Sequence, residues 1–229
     1  DKVFFVAYNS ETGYEPYVSD GTESGSSLLL DINPGVDDAF DLQRCPPQFS
    51  ELNGLVYFAA NDGEGLGLWR SAGTPESTQM VRRFFDSTLT SPRLYELTSH
   101  NGCLFFLANS GGTGSMLWKT DGTTEGTSEI KQMPRDASQL ISFGGYLYFV
   151  ADDNRGFGTE LHRTDGTWRG TGMVIDIAPG GQDAFISSLT VLGDRLFFSA
   201  QDGQEPWSSD GHGQELWVSD GTEAGTVLV

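Results

Sequence analysis

The stretch Glu215-Leu-Trp-Val-Ser-Asp-Gly-Thr-Glu-Ala-Gly-Thr226 decides the architecture, because its core recurs four times upstream. The copies are Glu15-Pro-Tyr-Val-Ser-Asp-Gly-Thr22, Gly67-Leu-Trp-Arg-Ser-Ala-Gly-Thr74, Met116-Leu-Trp-Lys-Thr-Asp-Gly-Thr123 and Glu160-Leu-His-Arg-Thr-Asp-Gly-Thr167. Ahead of each lies an apolar-aromatic run: Val3-Phe-Phe-Val-Ala7, Val56-Tyr-Phe-Ala-Ala60, Leu104-Phe-Phe-Leu-Ala108, Leu147-Tyr-Phe-Val-Ala151 and Leu196-Phe-Phe-Ser-Ala200. Their second aromatics, Phe5, Phe58, Phe106, Phe149 and Phe198, are 53, 48, 43 and 49 residues apart. A period in this range marks a chain built from repeated supersecondary units. Five units of about 46 residues fill it as one domain over 1–229, at roughly 1–47, 48–92, 93–138, 139–185 and 186–229.

Working outward, each unit reads as four short strands, A to D. Strand A, such as Gln48–Leu52 or Ile186–Leu192, meets the aromatic strand B through Asn53-Gly54, Asn101-Gly102, Gly144-Gly145 or Gly193-Asp194. These pairs tolerate the positive φ that tight hairpin turns require. Strand C carries the Leu-Trp motif and ends in Asp-Gly-Thr. After a few residues, often closed by Gly-Thr as at Gly126-Thr127, strand D begins, as in Ser27–Ile32 or Gly172–Ile177. The D to A connection is longer and carries Asn33-Pro-Gly35 or Ala178-Pro-Gly-Gly181, which suits a crossing to the next unit. No segment sustains a helical period. Four-stranded units too small to bury their own faces either stack openly or close into a ring, and this unit length favours the ring. The expected fold is therefore all-β, a five-bladed β-propeller of four-stranded antiparallel blades. Five B, C and D strands but only four A strands are present, so blade 1 is expected to lack a strand. The aromatic pairs of strand B and the series Tyr17, Trp69, Trp118, His162 and Trp217 on strand C are expected to fill the core between blades.

The Glu-Leu-Trp-x-x-Asp-Gly-Thr-x-x-Gly-Thr motif resembles a repeat family found in large secreted or surface-attached bacterial proteins. All eight specified positions of the twelve-residue motif match in the last unit, and the resemblance spans the chain. Unit two departs with Gly67 and Ala72, unit three with Met116 and unit four with His162. The resemblance implies a β-propeller in an extracellular setting and no settled activity. In plan, though not in motif, the repeat is also similar to five-bladed tachylectin-type lectins.

Charge narrows the partners. Thirteen basic residues, of which three are Lys, against 32 acidic ones leave a net charge of −19, which repels nucleic acid and anionic membranes. No apolar run approaches the length of a spanning helix. Glycine richness, acidity and scarce lysine, in a chain that begins at Asp1, favour a secreted or cell-surface protein. Cys45 and Cys103 match no metal-ligand spacing, which leaves two buried thiols or one disulfide.

Residues that recur in every unit serve the fold. The Asp of Asp-Gly-Thr is read as an Asx-turn former, the Glu before Leu-Trp as a hydrogen-bond acceptor toward a neighbouring blade, and the Asp-Ala pairs (Asp38-Ala39, Asp136-Ala137, Asp183-Ala184) as turn formers. The acidic runs Asn61-Asp-Gly-Glu64, Asp37-Asp38 and Asp152-Asp-Asn154 offer hard oxygen ligands, so calcium is the alternative reading for them, although none follows a known calcium pattern. Function is sought where units differ. Unit five inserts Gly203–Gly213 between strands B and C, displaying Trp207 and His212; unit four places Arg155 and Phe157 on the same face, and Asn33 lies there too. An aromatic platform flanked by Arg, Asn and Asp is the usual chemistry of glycan recognition. The reading is a non-enzymatic module binding a glycan or an extracellular protein through loops on one face. Its alternatives are an assembly scaffold and a hydrolase with a carboxylate pair at the channel mouth.

Overall fold

The computed structural model describes residues 2–43, 46–89, 91–112, 114–135, 137–152, 154–203 and 213–229. Its strands form five antiparallel meanders. Sheet one holds β1 (Val3–Asn9), β2 (Gly13–Ser19) and β3 (Ser27–Leu28); sheet two holds β4 (Ser50–Leu52), β5 (Leu55–Asn61), β6 (Gly65–Ser71) and β7 (Gln79–Asp86). Sheet three holds β8 (Arg93–His100), β9 (Cys103–Asn109), β10 (Ser115–Thr120) and β11 (Ser128–Met133). Sheet four holds β12 (Ser138–Phe143), β13 (Tyr146–Ala151), β14 (Glu160–Thr164) and β15 (Gly172–Ile175), and sheet five β16 (Ser187–Leu192), β17 (Arg195–Ala200), β18 (Glu215–Ser219) and β19 (Val227–Leu228). Sheet one thus has the three strands, B, C and D, that the repeat predicts.

Local chemistry explains the punctuation. Asn53 and Gly54, Asn101 and Gly102, and Gly144 and Gly145 all have positive φ, as the A–B hairpins demand. In each Asp-Gly-Thr the Asp Oδ1 accepts from the Thr main-chain N–H and hydroxyl, at 2.9 and 2.7 Å for both Asp20 and Asp121. The Thr hydroxyl in turn accepts from the Gly N–H that precedes strand D, for example Gly126 at 2.9 Å. That glycine lies so close that a Cβ on Gly126 would fall 2.0 Å from Asp121 Oδ1. Unit two, with Ala72 in place of the Asp, solves the turn differently: Ser77 Oγ accepts from the N–H groups of Ala72 (3.1 Å) and Thr74 (3.2 Å), in a 3-10 turn at Pro75–Ser77 capped by Thr74.

The Glu of the motif accepts its hydrogen bonds within its own unit and not from a neighbouring blade, which corrects the sequence reading. Glu15 Oε2 and Oε1 accept from Ile32 N–H (2.9 Å) and Asn33 N–H (3.2 Å); Glu160 repeats this with Ile177 (2.9 Å) and Ala178 (3.2 Å). Both side chains are fully buried. Their effect is seen by comparison. Where Gly67 or Met116 replaces the Glu, strand D runs on along strand C as β7 or β11; where the Glu is present, β3 and β15 stop early. The carboxylate receives the N–H groups released when strand D leaves its ladder. Glu215 is exposed.

The chain divides into two compact units, Asp1–Gly112 with Trp118–Ser128, and Thr113–Leu117 with Glu129–Val229. In the first, Leu29, Ile32, Ala39, Phe40, Phe58 and Trp69 form a core joined by Phe4 and Phe49. In the second, Phe143, Tyr148, Leu161, Ile177, Phe198 and Trp217 do the same. Within its own sheet the strand C series also packs across the ladder on strand B: Trp118 stacks on Phe106 with centroids 6.4 Å apart and Trp217 on Phe198 at 6.5 Å, while His162 lies tilted against Phe149 at 5.6 Å. Neighbouring sheets are latched at the Asp-Gly turns. Arg70 Nη1 donates to Gly122 O at 2.7 Å and Arg163 Nη1 to Gly221 O at 2.6 Å. Cys103 is an unbridged, half-buried thiol; Cys45 lies outside the described residues.

Candidate functional site

The B–C turns and D–A connections share one end of each sheet. In the first unit this end is organised by Asp38-Ala39. Asp38 Oδ1 accepts the Tyr14 N–H at 2.9 Å, Ala39 N–H donates to Tyr14 O at 3.0 Å, and Asn61 N–H donates to Ala39 O at 2.9 Å. One dipeptide thereby ties the start of β2 to the end of β5. Asp183-Ala184 makes the same clamp in the second unit, with Thr159 and Gln201. Read in the sequence as turn formers, Asp38-Ala39 and Asp183-Ala184 instead bridge residues distant in the chain and join two strands; Asp136 of the third pair lies outside the described residues.

Against the first clamp lies a cavity of about 570 Å³. Its walls come from the β3–β4 connection, the ends of β5 and β6, and the β7–β8 connection. Tyr14 and Phe40 supply aromatic surface, Leu42 and Leu89 aliphatic surface, and Pro46, Pro47 and Pro92 stiffen the loops. Asp38, Asp41 and Asp86 supply carboxylates, Gln43, Gln48 and Asn61 amides, and Ser87 and Ser91 hydroxyls. No described lining residue is Lys, Arg or His.

The polar groups are held in place by the main chain. Asp41 Oδ1 accepts the Gln43 N–H (3.1 Å), Gln48 Oε1 the Leu97 N–H (3.2 Å) and Asn61 Oδ1 the Gly63 N–H (2.9 Å). Asp86 Oδ1 accepts both the N–H (3.0 Å) and the hydroxyl of Thr88, and the hydroxyl bond above all holds its carboxyl below the usual range. Among the described residues, the carboxyls with raised proton affinity are elsewhere. Burial lifts Glu15 to about 7 and Glu160 to about 8 against the pull of their main-chain donors.

The residues singled out in the sequence are dispersed. Asn33 is half-buried and structural in its bonding: its Nδ2 donates to Asp38 O at 3.0 Å and its N–H to Glu15. Arg155 and Phe157 are exposed in the β13–β14 connection of the second unit. Trp207 and His212 lie outside the described residues. Of the acidic runs offered for calcium, Asp62 is engaged by Arg83 through both oxygens (2.6 Å each), with Glu64 at 3.0 Å, and Asp152 Oδ2 pairs with Arg135 at 3.3 Å. No group of three or more potential metal ligands occurs among the described residues. The cavity itself escaped sequence reading. The available signal was the added prolines of the first two D–A connections, Pro46-Pro47 and Ser91-Pro92.

None of the protein-family models and none of the curated proteins matches the chain. Solved structures do. It is similar to a prolyl endopeptidase, with a TM-score of 0.59 and 12% identity over 100% of this chain and 33% of that one. It is similar to oligopeptidase B from Leishmania major (TM-score 0.60, 13% identity, 100% and 31% covered) and to TolB from Acinetobacter baumannii (0.51, 10%, 99% and 51%). The fold is propeller-like. The chain spans between about a third and a half of the length of these structures.

Proposed function

We propose that the chain is a non-enzymatic binding module, a five-bladed β-propeller of secreted or cell-surface origin. We further propose that it holds a neutral glycan in the cavity beside the Asp38-Ala39 clamp. The observation that carries this reading is the cavity's lining. Its size falls within the range of small-molecule sites, and it pairs aromatic and aliphatic walls with oriented carboxylates and amides. Asp38 and Asp86 each spend one oxygen on the main chain and present the other as an acceptor for hydroxyl groups. The carboxylates and the net charge of −19 disfavour phosphorylated or acidic ligands.

Binding is favoured over hydrolysis by the state of the acids. Glycoside cleavage needs a carboxyl held protonated beside the scissile bond. The carboxyls with raised proton affinity, Glu15 and Glu160, are buried with both oxygens accepting main-chain N–H groups. Asp86, in the cavity, is shifted the other way.

The test is a glycan-array screen of the purified chain, with calcium and again with chelator, followed by product analysis of every glycan retained. Binding without turnover is expected. A blank array in both conditions removes the glycan, and released sugar removes the non-enzymatic reading.

A further inference from the structure

The two clamps differ in what they leave over. At the second, both oxygens of Asp183 are taken: Oδ1 accepts the Thr159 N–H at 2.8 Å, and Arg135 Nη1 lies 3.1 Å from Oδ1 and 3.3 Å from Oδ2. Arg135 also pairs with Asp152, so the chain's own guanidinium fills the place beside that clamp. Among the described residues no cation does this at the first clamp, where Asp38 Oδ1 accepts the Tyr14 N–H at 2.9 Å and Oδ2 is left to the cavity.

Beside that oxygen stands a donor. Asn61 N–H donates to Ala39 O at 2.9 Å, which sets Asn61 against the residue next to Asp38. The turn after Asn61 abuts the same clamp: a Cβ on Gly63 would lie 2.8 Å from Asn33 Oδ1, and Asn33 Nδ2 holds Asp38 O at 3.0 Å. The Asn61 amide has one orientation, because its Oδ1 accepts the Gly63 N–H at 2.9 Å and the amide nitrogen cannot do so. Its Nδ2 is therefore turned away from Gly63 as a donor, in a residue that lines the cavity. The other polar groups stand apart from this pair. Asp86 lies opposite Gly65 on the far side of β6, two strands or about 10 Å from β5, and Gly65 puts no side chain between them. Gln48, the second oriented amide, is held by Leu97 of sheet three.

We propose that Asp38 and Asn61 read two adjacent hydroxyl groups of a sugar ring, one donating to Asp38 Oδ2 and its neighbour accepting from Asn61 Nδ2, and that the second clamp, closed by Arg135, holds no sugar. This pairing rests on the sugar reading of the cavity and narrows it. A carboxylate accepts and an amide nitrogen donates, so a hydroxyl in each place satisfies both. An amine meets Asp38 but not Asn61, and a carbonyl meets Asn61 but not Asp38. Tyr14, whose N–H fixes Asp38, lines the same wall and offers its ring to the apolar face of the sugar.

The probes are the methyl glycosides of glucose, galactose and mannose, each with its 2-, 3- and 4-deoxy derivatives and its 2-amino-2-deoxy derivative, titrated against the full chain by ligand-observed NMR. One glycoside is expected to bind per chain. Loss of either of two adjacent hydroxyls should weaken it about tenfold or more, because a polar partner is left without its bond, and loss of the third should change it little. Asn61→Ala should weaken the parent glycoside about tenfold and weaken far less the deoxy derivative that already lacks the hydroxyl Asn61 meets, a coupling that general loosening of the turn does not produce. Equal losses at all three positions overturn the pairing, as does absence of binding by every glycoside. So does tighter binding of the amino derivative than of its parent, which would make a cation the feature read. Array hits without the adjacent-hydroxyl pattern defeat the pairing alone; a blank array defeats the sugar reading beneath it.

Discussion

Replacing Glu160 by Gln separates two things this side chain does, receiving two N–H groups and carrying a titratable proton. Burial lifts its carboxyl from 4.5 to about 8, with Asp176 and Asp183 adding to the rise, while the N–H groups of Ile177 and Ala178 oppose it. A folded-state value above the unfolded one means the native chain holds the proton more tightly. The associated stability is fully present below about pH 4.5 and is lost as pH rises through about 8. Between pH 6 and pH 9 the loss amounts to roughly 3 kcal/mol, at about 1.4 kcal/mol per tenfold change in proton affinity. Glu15, lifted to about 7 by the same cause with Asp31 nearby, loses roughly 1 kcal/mol more over that interval. Urea unfolding followed by tryptophan fluorescence at pH 6 and pH 9 measures the sum. Wild type is expected to lose roughly 4 kcal/mol between the two, and Glu160→Gln only roughly 1 kcal/mol, the share of Glu15. At pH 6 the variant is the weaker, because an amide offers one acceptor oxygen to two buried donors and leaves one unpaired, at about 1–3 kcal/mol. Equal pH dependence in wild type and variant refutes the reasoning.

Three further perturbations test the packing. Gly126→Ala brings a methyl group 2.0 Å from Asp121 Oδ1 and is expected to cost about 1–3 kcal/mol; adding Asp121→Ala should recover part of that, a coupling read from a double-mutant cycle. Trp118→Ala removes the stack on Phe106, the edge contact with Phe84 at 4.9 Å and the cation–π contact with Arg82 at 4.9 Å, and should destabilise by about 3–5 kcal/mol in urea unfolding. Arg83→Ala breaks the paired contact to Asp62 at the surface and should cost only about 1 kcal/mol, a difference that shrinks as salt is raised.

Turns and strands were legible because most of the repeated sheets solve the same local problem with the same residues. Asn-Gly pairs mark hairpins, Asp-Gly-Thr marks an Asx-turn, and the aromatic run marks strand B, buried in sheets two to five and an edge in sheet one. The three-stranded first sheet follows from counting A strands. The partner of the motif Glu was not legible. Glu15 reaches Ile32 and Glu160 reaches Ile177, in each case 17 residues on, and that geometry depends on where strand D leaves its ladder. The length of strand D is visible only by comparing units with and without the Glu. The cavity was hidden for a related reason. Asp41 and Leu89 belong to D–A connections and Asp86 ends a strand D, in stretches whose sequences do not repeat, so no pattern brings them together before the clamp at Asp38-Ala39 does. Asn33 stands in the face picked from sequence, yet its amide is committed to the Asp38 carbonyl.

The central claim is that a sugar is held in the cavity of the first unit, and a glycan array run in parallel on wild type and Leu89→Trp tests it most directly. Leu89 lines the cavity and is partly exposed, so an indole there fills the space while leaving the core of the unit intact. The account predicts glycan hits for wild type that disappear in Leu89→Trp while thermal unfolding is unchanged. Hits that persist in Leu89→Trp, or an array blank for wild type, contradict it.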